Sequence, residues 1–501
     1  MRPPIHGYAP WDFMLAVDAV NYDVAQQLGV ARRGTRIINL SSGINLLPPP
    51  AYLLDVGAAA INNEAFFHDY DGPAGHEMGR RGVVAYERGR SRGRSAISSK
   101  NVLVTTGAST ALQAAAAVLR RRLGPGEVVV PAPTYPLAGE ILFQAGFRIH
   151  EVFSGWSGTR WLPEVERVIA AFTPKTRILY VNQFNNPTGE IYSRGELRAL
   201  VAACRDRKIT LVVDRVSANL DFSDEVPDAL AIAEEEEYLE RSCLFSSLSK
   251  ERCVPGLRIG WLIAGAALVT DTERVNGGPA PSSSSPSSAI AHVDLAIRLA
   301  AQACDAGGRL EQVAPAAAAA FLDPLEELAC LFPAGVALMR AQYETALFRA
   351  RVDGYLRWRE ELRQTLQANW ASLVSRHPDT IRLGVRPRGG FNAFVRVPGL
   401  DRDDPLASTH RLFLETGLQI LPAPSFGLTP TEWRRQGFWT RLSYAMPPSR
   451  WVEGLDRLNA WVEARTRSAG DQVEEDQPWS SPGPVEHAPA AKGRGGEQLQ
   501  P

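Results

Sequence analysis

Between residues 101 and 264 short apolar runs alternate with helical segments, and this alternation limits what the chain can fold into more than any other feature. Val102-Leu-Val-Thr105 precedes an alanine-rich helical stretch, Ser109 to Arg122. Then come Glu127 to Pro131, a helix near Leu137 to Gln144, Arg177 to Asn182, a helix Arg194 to Arg207, Thr210 to Asp214 and Leu244 to Ser247. Strands separated by helices predict an α/β fold, a mostly parallel sheet with crossover helices on both faces. Ligands of such sheets bind outside the carboxyl ends of the strands, so the residues that follow each strand are the first to inspect.

One of those ends carries a lysine with unusual neighbours. Lys250 follows the apolar, hydroxyl-rich run Leu244 to Ser249, and Arg258 stands eight residues later, just before a second apolar run, Ile259 to Ala264. An amine at the mouth of a sheet, beside Ser247, Ser249 and Arg258, suits a Schiff-base enzyme: it can hold an aldehyde cofactor while nearby donors hold that cofactor's phosphate. Taken alone, Ser-x-Ser-Lys reads more readily as an ordinary loop lysine, and only the rest of the chain reverses that. At Thr106-Gly107-Ala108-Ser109 a strand turns into a helix, whose first amides carry free N–H groups and a partial positive charge. A phosphate fits there, although a plain strand-to-helix turn has the same sequence.

Composition removes several function classes. The net charge of −1 provides no basic field for nucleic acid or an acidic membrane surface. The five cysteines, 204, 243, 253, 304 and 330, form no C-x-x-C pair, which argues against a disulfide scaffold or a zinc site and suits a reducing, cytoplasmic compartment. Met1 to Phe13 lacks the basic and apolar regions of a secretory signal. Val313 to Met339 holds Asp323, Glu326, Glu327 and three prolines, so no membrane span is expected there.

Taken together, Ser247-Leu-Ser-Lys250 with Pro255-Gly256-Leu-Arg258-Ile-Gly260, Thr106-Gly-Ala-Ser109, Asn185-Asn-Pro-Thr-Gly189 and Asp214 after Leu211-Val-Val resemble the class I/II aminotransferases, pyridoxal-phosphate enzymes of fold type I. The steps from Asn186 to Asp214, to Lys250 and to Arg258, 28, 36 and 8 residues, are similar to the family's. The resemblance is strongest over 35 to 265 and looser over 380 to 460. It implies a central sheet domain and a smaller α/β domain built from the N- and C-terminal segments.

The resemblance also implies roles. Lys250 would form the aldimine with pyridoxal 5'-phosphate and carry the proton at the substrate Cα, and Asp214 would pair with the cofactor's ring nitrogen. Asn186 would donate to the ring oxygen and lie near the substrate, and Tyr135 in Pro133-Thr-Tyr-Pro136 would stack on the ring. Gly107, Ala108, Ser109, Ser247 and Arg258 would cup the phosphate. Tyr70, in the segment His68 to Gly75, would reach the phosphate of the other subunit, which requires a homodimer with shared active sites; Gly79 stands where the family usually has leucine. Gly43 would lie beside the substrate, and Arg441 would bind its α-carboxylate in two parallel hydrogen bonds.

The implied reaction moves the amino group of an α-amino acid to a 2-oxo acid. One departure bears on it. The family usually reads Asp-x-x-Tyr where this chain has Asp214-Arg-Val-Ser217, and serine is too short to replace the phenol. An amino-acid lyase, cyclase or oxidase of a biosynthetic pathway would use the same Lys250, Asp214 and Arg441. A non-catalytic regulator on this fold would carry a basic winged helix in front, for which residues 1 to 35 are too short.

The expected organisation is an arm and part of the small domain over 1–45, the large cofactor-binding domain over 46–265, an atypical insertion over 266–340, a long helix from Met339 to Arg376 and the small domain over 341–466, and a disordered tail over 467–501. Within the insertion, the Ser/Pro-rich run 277 to 288 reads as a flexible linker. The insertion itself reads as a solvated excursion or, less favoured, a lid.

Overall fold

The computed structural model describes residues 7–31, 36–66, 71–220, 226–278, 283–376, 381–401 and 403–468. Tyr70 and most of the expected tail lie outside these residues. A short strand, β1 (Ile38–Asn39), precedes the seven that build the large sheet: β2 (Val102–Thr105), β3 (Glu127–Ala132), β4 (Arg148–Phe153), β5 (Thr176–Asn182), β6 (Thr210–Asp214), β7 (Ser242–Ser247) and β8 (Gly260–Ala264). Their order is β2-β8-β7-β6-β5-β3-β4. All neighbours run parallel except β8, which is antiparallel to both β2 and β7.

The strands are near-continuous Val, Ile and Leu because both faces are covered. Alternate side chains enter opposite cores: Leu211 and Val213 belong to one apolar cluster, Val212, Cys243 and Phe245 to the other. The register sets Asn182 opposite Asp214 and Asp214 opposite Phe245. β5 and β6 therefore end level and β7 runs two residues further, with Asp214 on the face that also carries Val212. β4 escaped the sequence reading because it is an edge strand with a polar, half-exposed pattern.

A second apolar core surrounds an antiparallel sheet in which β9 (Arg382–Leu383) pairs with β10 (Asn392–Arg396). Next in the chain, β11 (Leu418–Gln419) runs parallel to β1, while β12 (Leu421–Pro422) and β13 (Trp439–Ser443) complete the order β12-β13-β10-β9. The N-terminal segment thus closes onto C-terminal strands. A helix not anticipated from sequence, Pro448–Ser468, follows.

The segment 266–340 corrects two expectations. It is neither a solvated excursion nor a lid: the helix Ser285–Asp305 is buried along most of its length, and residues from Ala289 to Met339 belong to the main core. The Ser-rich run is ordered where it is described. Ser284 caps the helix, and Ser285 and Ser287 bond to Asp71 and to the Leu257 carbonyl. Small residues let this helix approach the helix Glu77–Arg90 closely. A Cβ on Gly79 would stand 3.3 Å from Ser288, and one on Gly82 2.8 Å from the His292 ring. Leucine at position 79 would clash, which accounts for the departure seen there.

The long helix expected over Met339–Arg376 is two helices, Pro333–Gln342 and Thr345–Arg376. Glu344 accepts from the amides of Ala346 and Leu347, so it starts a new helix instead of continuing the old one.

Candidate active site

The level strand ends open into a cavity of about 470 Å³ between the large sheet, the β1 segment and the small-domain strands. Gly43, Ala108, Ser109, Tyr135, Asn186, Asp214, Ser247, Lys250, Arg258 and Arg441 all line it, and Gly107 caps the helix that begins at Ala108. Of the residues singled out from sequence, only Tyr70 has no described position.

Lys250 sits in the single turn Leu248–Glu251 directly after β7. Its Nζ donates to the Gly43 carbonyl at 2.6 Å. Burial and then Arg441 lower its pKa, Asp214 opposes them, and the amine settles at about 8. The flanking residues anchor the turn below: Glu251 accepts from the backbone and amide nitrogens of Asn219 at 3.0 and 2.7 Å and pairs with Arg298, while Arg252 pairs with Asp294 at 2.7 Å. Lys250 is therefore the half-buried member of a charged turn whose neighbours Glu251 and Arg252 are fully buried.

Asp214 ends β6. Burial raises its carboxyl above the ordinary range, and hydrogen bonds from the Val216 amide and the Tyr180 phenol, both 3.0 Å, work against that rise. Tyr180 lines the cavity and was missed in the sequence. Strand periodicity puts it on the same face as Asn182, two residues on, but only the sheet order sets it beside β6 and Asp214. Ser217 also lines the cavity.

Gly107, at φ 96°, lets the β2 turn pass against Arg258: a Cβ there would stand 2.7 Å from Arg258 Nη2. Gly260 serves the same approach, since a Cβ on it would lie 2.4 Å from the Ala108 amide. Arg258 is exposed at the rim and donates to the Thr106 carbonyl. Ser247 is less free than expected, because its hydroxyl donates to the Ile259 carbonyl and accepts from the Ser249 amide.

Arg441, on β13, donates from Nη1 to Asn186 Oδ1 at 2.9 Å, from Nη2 to the Ser41 carbonyl at 2.6 Å and from Nε to Ser41 Oγ at 3.3 Å. Burial lowers its pKa to about 10. A guanidinium has five N–H groups, so one hydrogen on each terminal nitrogen stays available to a carboxylate.

These donors fit a phosphorylated aldehyde with a basic ring nitrogen. A helix N-terminus and a guanidinium meet at one end, a carboxylate lies beneath, and an amine with a lowered pKa stands to the side. An α/β sheet whose strand ends bring these groups together defines a pyridoxal-phosphate enzyme of fold type I. The comparisons with known proteins are more specific. The sequence pattern of the aminotransferase class I and II family matches residues 35–458, and the chain belongs to that family of pyridoxal-phosphate-dependent transferases.

It is 25% identical over 442 residues to an aspartate aminotransferase of Thermotoga maritima, spanning 88% of this chain and 95% of that one. It is 29% identical over 271 residues to an arginine–pyruvate transaminase of Pseudomonas aeruginosa, spanning 54% and 63%. Among solved structures, the Thermotoga maritima aspartate aminotransferase superimposes with a TM-score of 0.65 at 22% identity, over 90% of this chain and 96% of that one. That of Rhizobium meliloti gives 0.66 at 19%, over 92% and 99%.

Proposed function

We propose that the protein is a homodimeric aminotransferase that moves the amino group of an α-amino acid to a 2-oxo acid, with pyridoxal 5'-phosphate as cofactor. The observation that carries this reading is the convergence of Lys250, Asp214 and Arg441 on one cavity. Pyridoxal phosphate, when bound, supplies the electron sink that makes the substrate Cα–H acidic.

The chain's own residues supply the rest. The Ala108 and Ser109 amides, the Ser109 hydroxyl and Arg258 would hold the phosphate, while Ser247, its hydrogen given to the Ile259 carbonyl, would support the cup from below; Tyr135 and Asn186 would set the ring. Asp214 would pair with a protonated ring nitrogen, and its burial would strengthen that pairing. Arg441 binds the substrate α-carboxylate through its two remaining N–H groups, orienting the Cα–H toward Lys250. With a pKa of about 8, Lys250 would be the group that accepts and holds the proton from the substrate Cα.

The deciding experiment adds pyridoxal phosphate to the purified protein. A band near the visible edge is expected, and borohydride followed by peptide mapping should place the label on Lys250. No band, or a label elsewhere, sinks the assignment. Ser217 in place of the family's tyrosine keeps a second reading in view, an amino-acid lyase, cyclase or oxidase. Ammonia or peroxide released without any 2-oxo acid would favour it.

A further inference from the structure

One part of the cavity remains unused when the cofactor and the α-carboxylate have their partners. The helix Ala9–Ala31 lies across the open side and contributes Met14, Asp18 and Asn21 to the lining. It is anchored: the Tyr8 amide bonds Glu140 at 2.9 Å, the Tyr8 phenol bonds Glu151, and Val17, Val24 and Leu28 are buried on its inner side.

Across the gap stand Leu137 and Ile141, which with Met14 make an apolar wall. Two acceptors line the same side. Among the described residues Asp18, exposed at the rim, has neither a hydrogen bond nor an ion pair and feels Arg441 as its charged neighbour, and Asn21 Oδ1 is buried with no hydrogen-bond partner. The only cations among the described lining residues are Lys250, Arg258 and Arg441, each with a role already.

We propose that this end is the substrate side-chain subsite and that it takes α-amino acids whose aliphatic side chain ends in a cation, an amine or a guanidinium, with Asp18 as counter-ion and Asn21 Oδ1 as a second acceptor. The inference rests on the aminotransferase reading. An aliphatic stem crosses the wall of Met14, Leu137 and Ile141, and its charged head meets Asp18 at the rim. A distal carboxylate would face Asp18 directly and be repelled. A neutral aliphatic chain would leave Asn21 Oδ1 without a donor, and a site built to accept hydrogen bonds rejects ligands that offer none. Burial raises the Asp18 carboxyl above its ordinary range and Arg441 partly opposes the rise, so the two charges share one field.

The test uses the cofactor-loaded protein with L-ornithine, L-arginine, L-norleucine and L-glutamate. It follows conversion to the amine form of the cofactor by absorbance, and binding by calorimetry. Ornithine or arginine should exceed norleucine and glutamate in kcat/KM by about tenfold or more. In Asp18→Asn the ornithine-to-norleucine ratio should fall by about tenfold, in binding as well as in rate, and Asp18→Glu should recover most of it. Equal or better use of norleucine or glutamate, or a ratio that Asp18→Asn leaves in place, overturns the subsite while leaving the aminotransferase reading intact. Failure of all four amino acids to convert the cofactor overturns the subsite; the aminotransferase reading falls with it only if L-alanine, L-aspartate and L-phenylalanine also leave the cofactor unconverted.

Discussion

The phenol of Tyr180 donates to Asp214 Oδ2 at 3.0 Å from the neighbouring strand of the sheet. Asp214 is buried, which favours its neutral form, so every donor to it helps keep it ionised. Tyr180→Phe removes one of the two hydrogen bonds it accepts. Such a bond to a charged group is worth ~2 kcal/mol, and kcat is expected to fall by about tenfold to thirtyfold. The same variant should bind pyridoxal phosphate more weakly in an absorbance titration. An unchanged kcat would show that the Val216 amide alone suffices.

The lowered pKa of Lys250 has a pH signature. Burial is its main cause, Arg441 adds to it and Asp214 opposes it. Below about 8 the amine is protonated and cannot attack an aldehyde. Capture of pyridoxal phosphate by the apoprotein should therefore speed up about tenfold per pH unit below that value and level off above it. The unfolded chain holds this proton up to its ordinary value of 10.5. Stability contributed at this residue should accordingly rise with pH between about 8 and 10.5 and carry its full penalty below about 8. Stopped-flow absorbance across that range checks the kinetic part.

Gly43 lies where two functional contacts meet. Its carbonyl accepts from Lys250, and at φ 60° a Cβ would stand 2.8 Å from Arg441 Nη2. Gly43→Ala should push the guanidinium off the α-carboxylate and lower kcat/KM by about tenfold or more, chiefly through KM. Arg441→Lys, which keeps the charge but loses the fork, should raise KM more than it lowers kcat. Steady-state kinetics of the two variants settle both expectations.

Away from the cavity, the Glu87 carboxylate is clamped by Arg215 at 2.8 Å and Arg90 at 2.6 Å. Burial alone would raise its pKa, but the two arginines overcome it and hold it at about 2. The stabilisation is present above the ordinary value of 4.5 and should be lost as pH falls from there toward about 2. Glu87→Ala leaves two buried guanidinium groups without this counter-ion and should cost ~3 kcal/mol. Thermal unfolding at neutral and acidic pH measures both effects.

The cavity residues were legible because each chemical role demands a side-chain type at a strand end. Lys250, Asp214 and Gly107 follow apolar runs long enough to be recognised as strands, and their order along the chain repeats a known spacing. The reading failed where composition imitates something else. The run 283–288 has the Ser and Pro content of a linker, yet its hydroxyls cap a helix and bond across to Asp71 and Leu257. The alanines that follow belong to the segment read as an insertion, yet many pack in the main core. They are small because helices meet there at close range, as Gly79 against Ser288 shows.

Local pattern thus determined the parallel sheet, the lysine turn and the arginine on β13, because strand periodicity and motif spacing are properties of neighbouring residues. Tertiary structure alone decided that Tyr180 serves Asp214, that Gly43 touches both Lys250 and Arg441, and that Asp18 and Asn21 face the cavity. Those relationships join residues up to 398 positions apart, Gly43 and Arg441. They depend on how one helix docks and how two strands align, and no short-range rule encodes either.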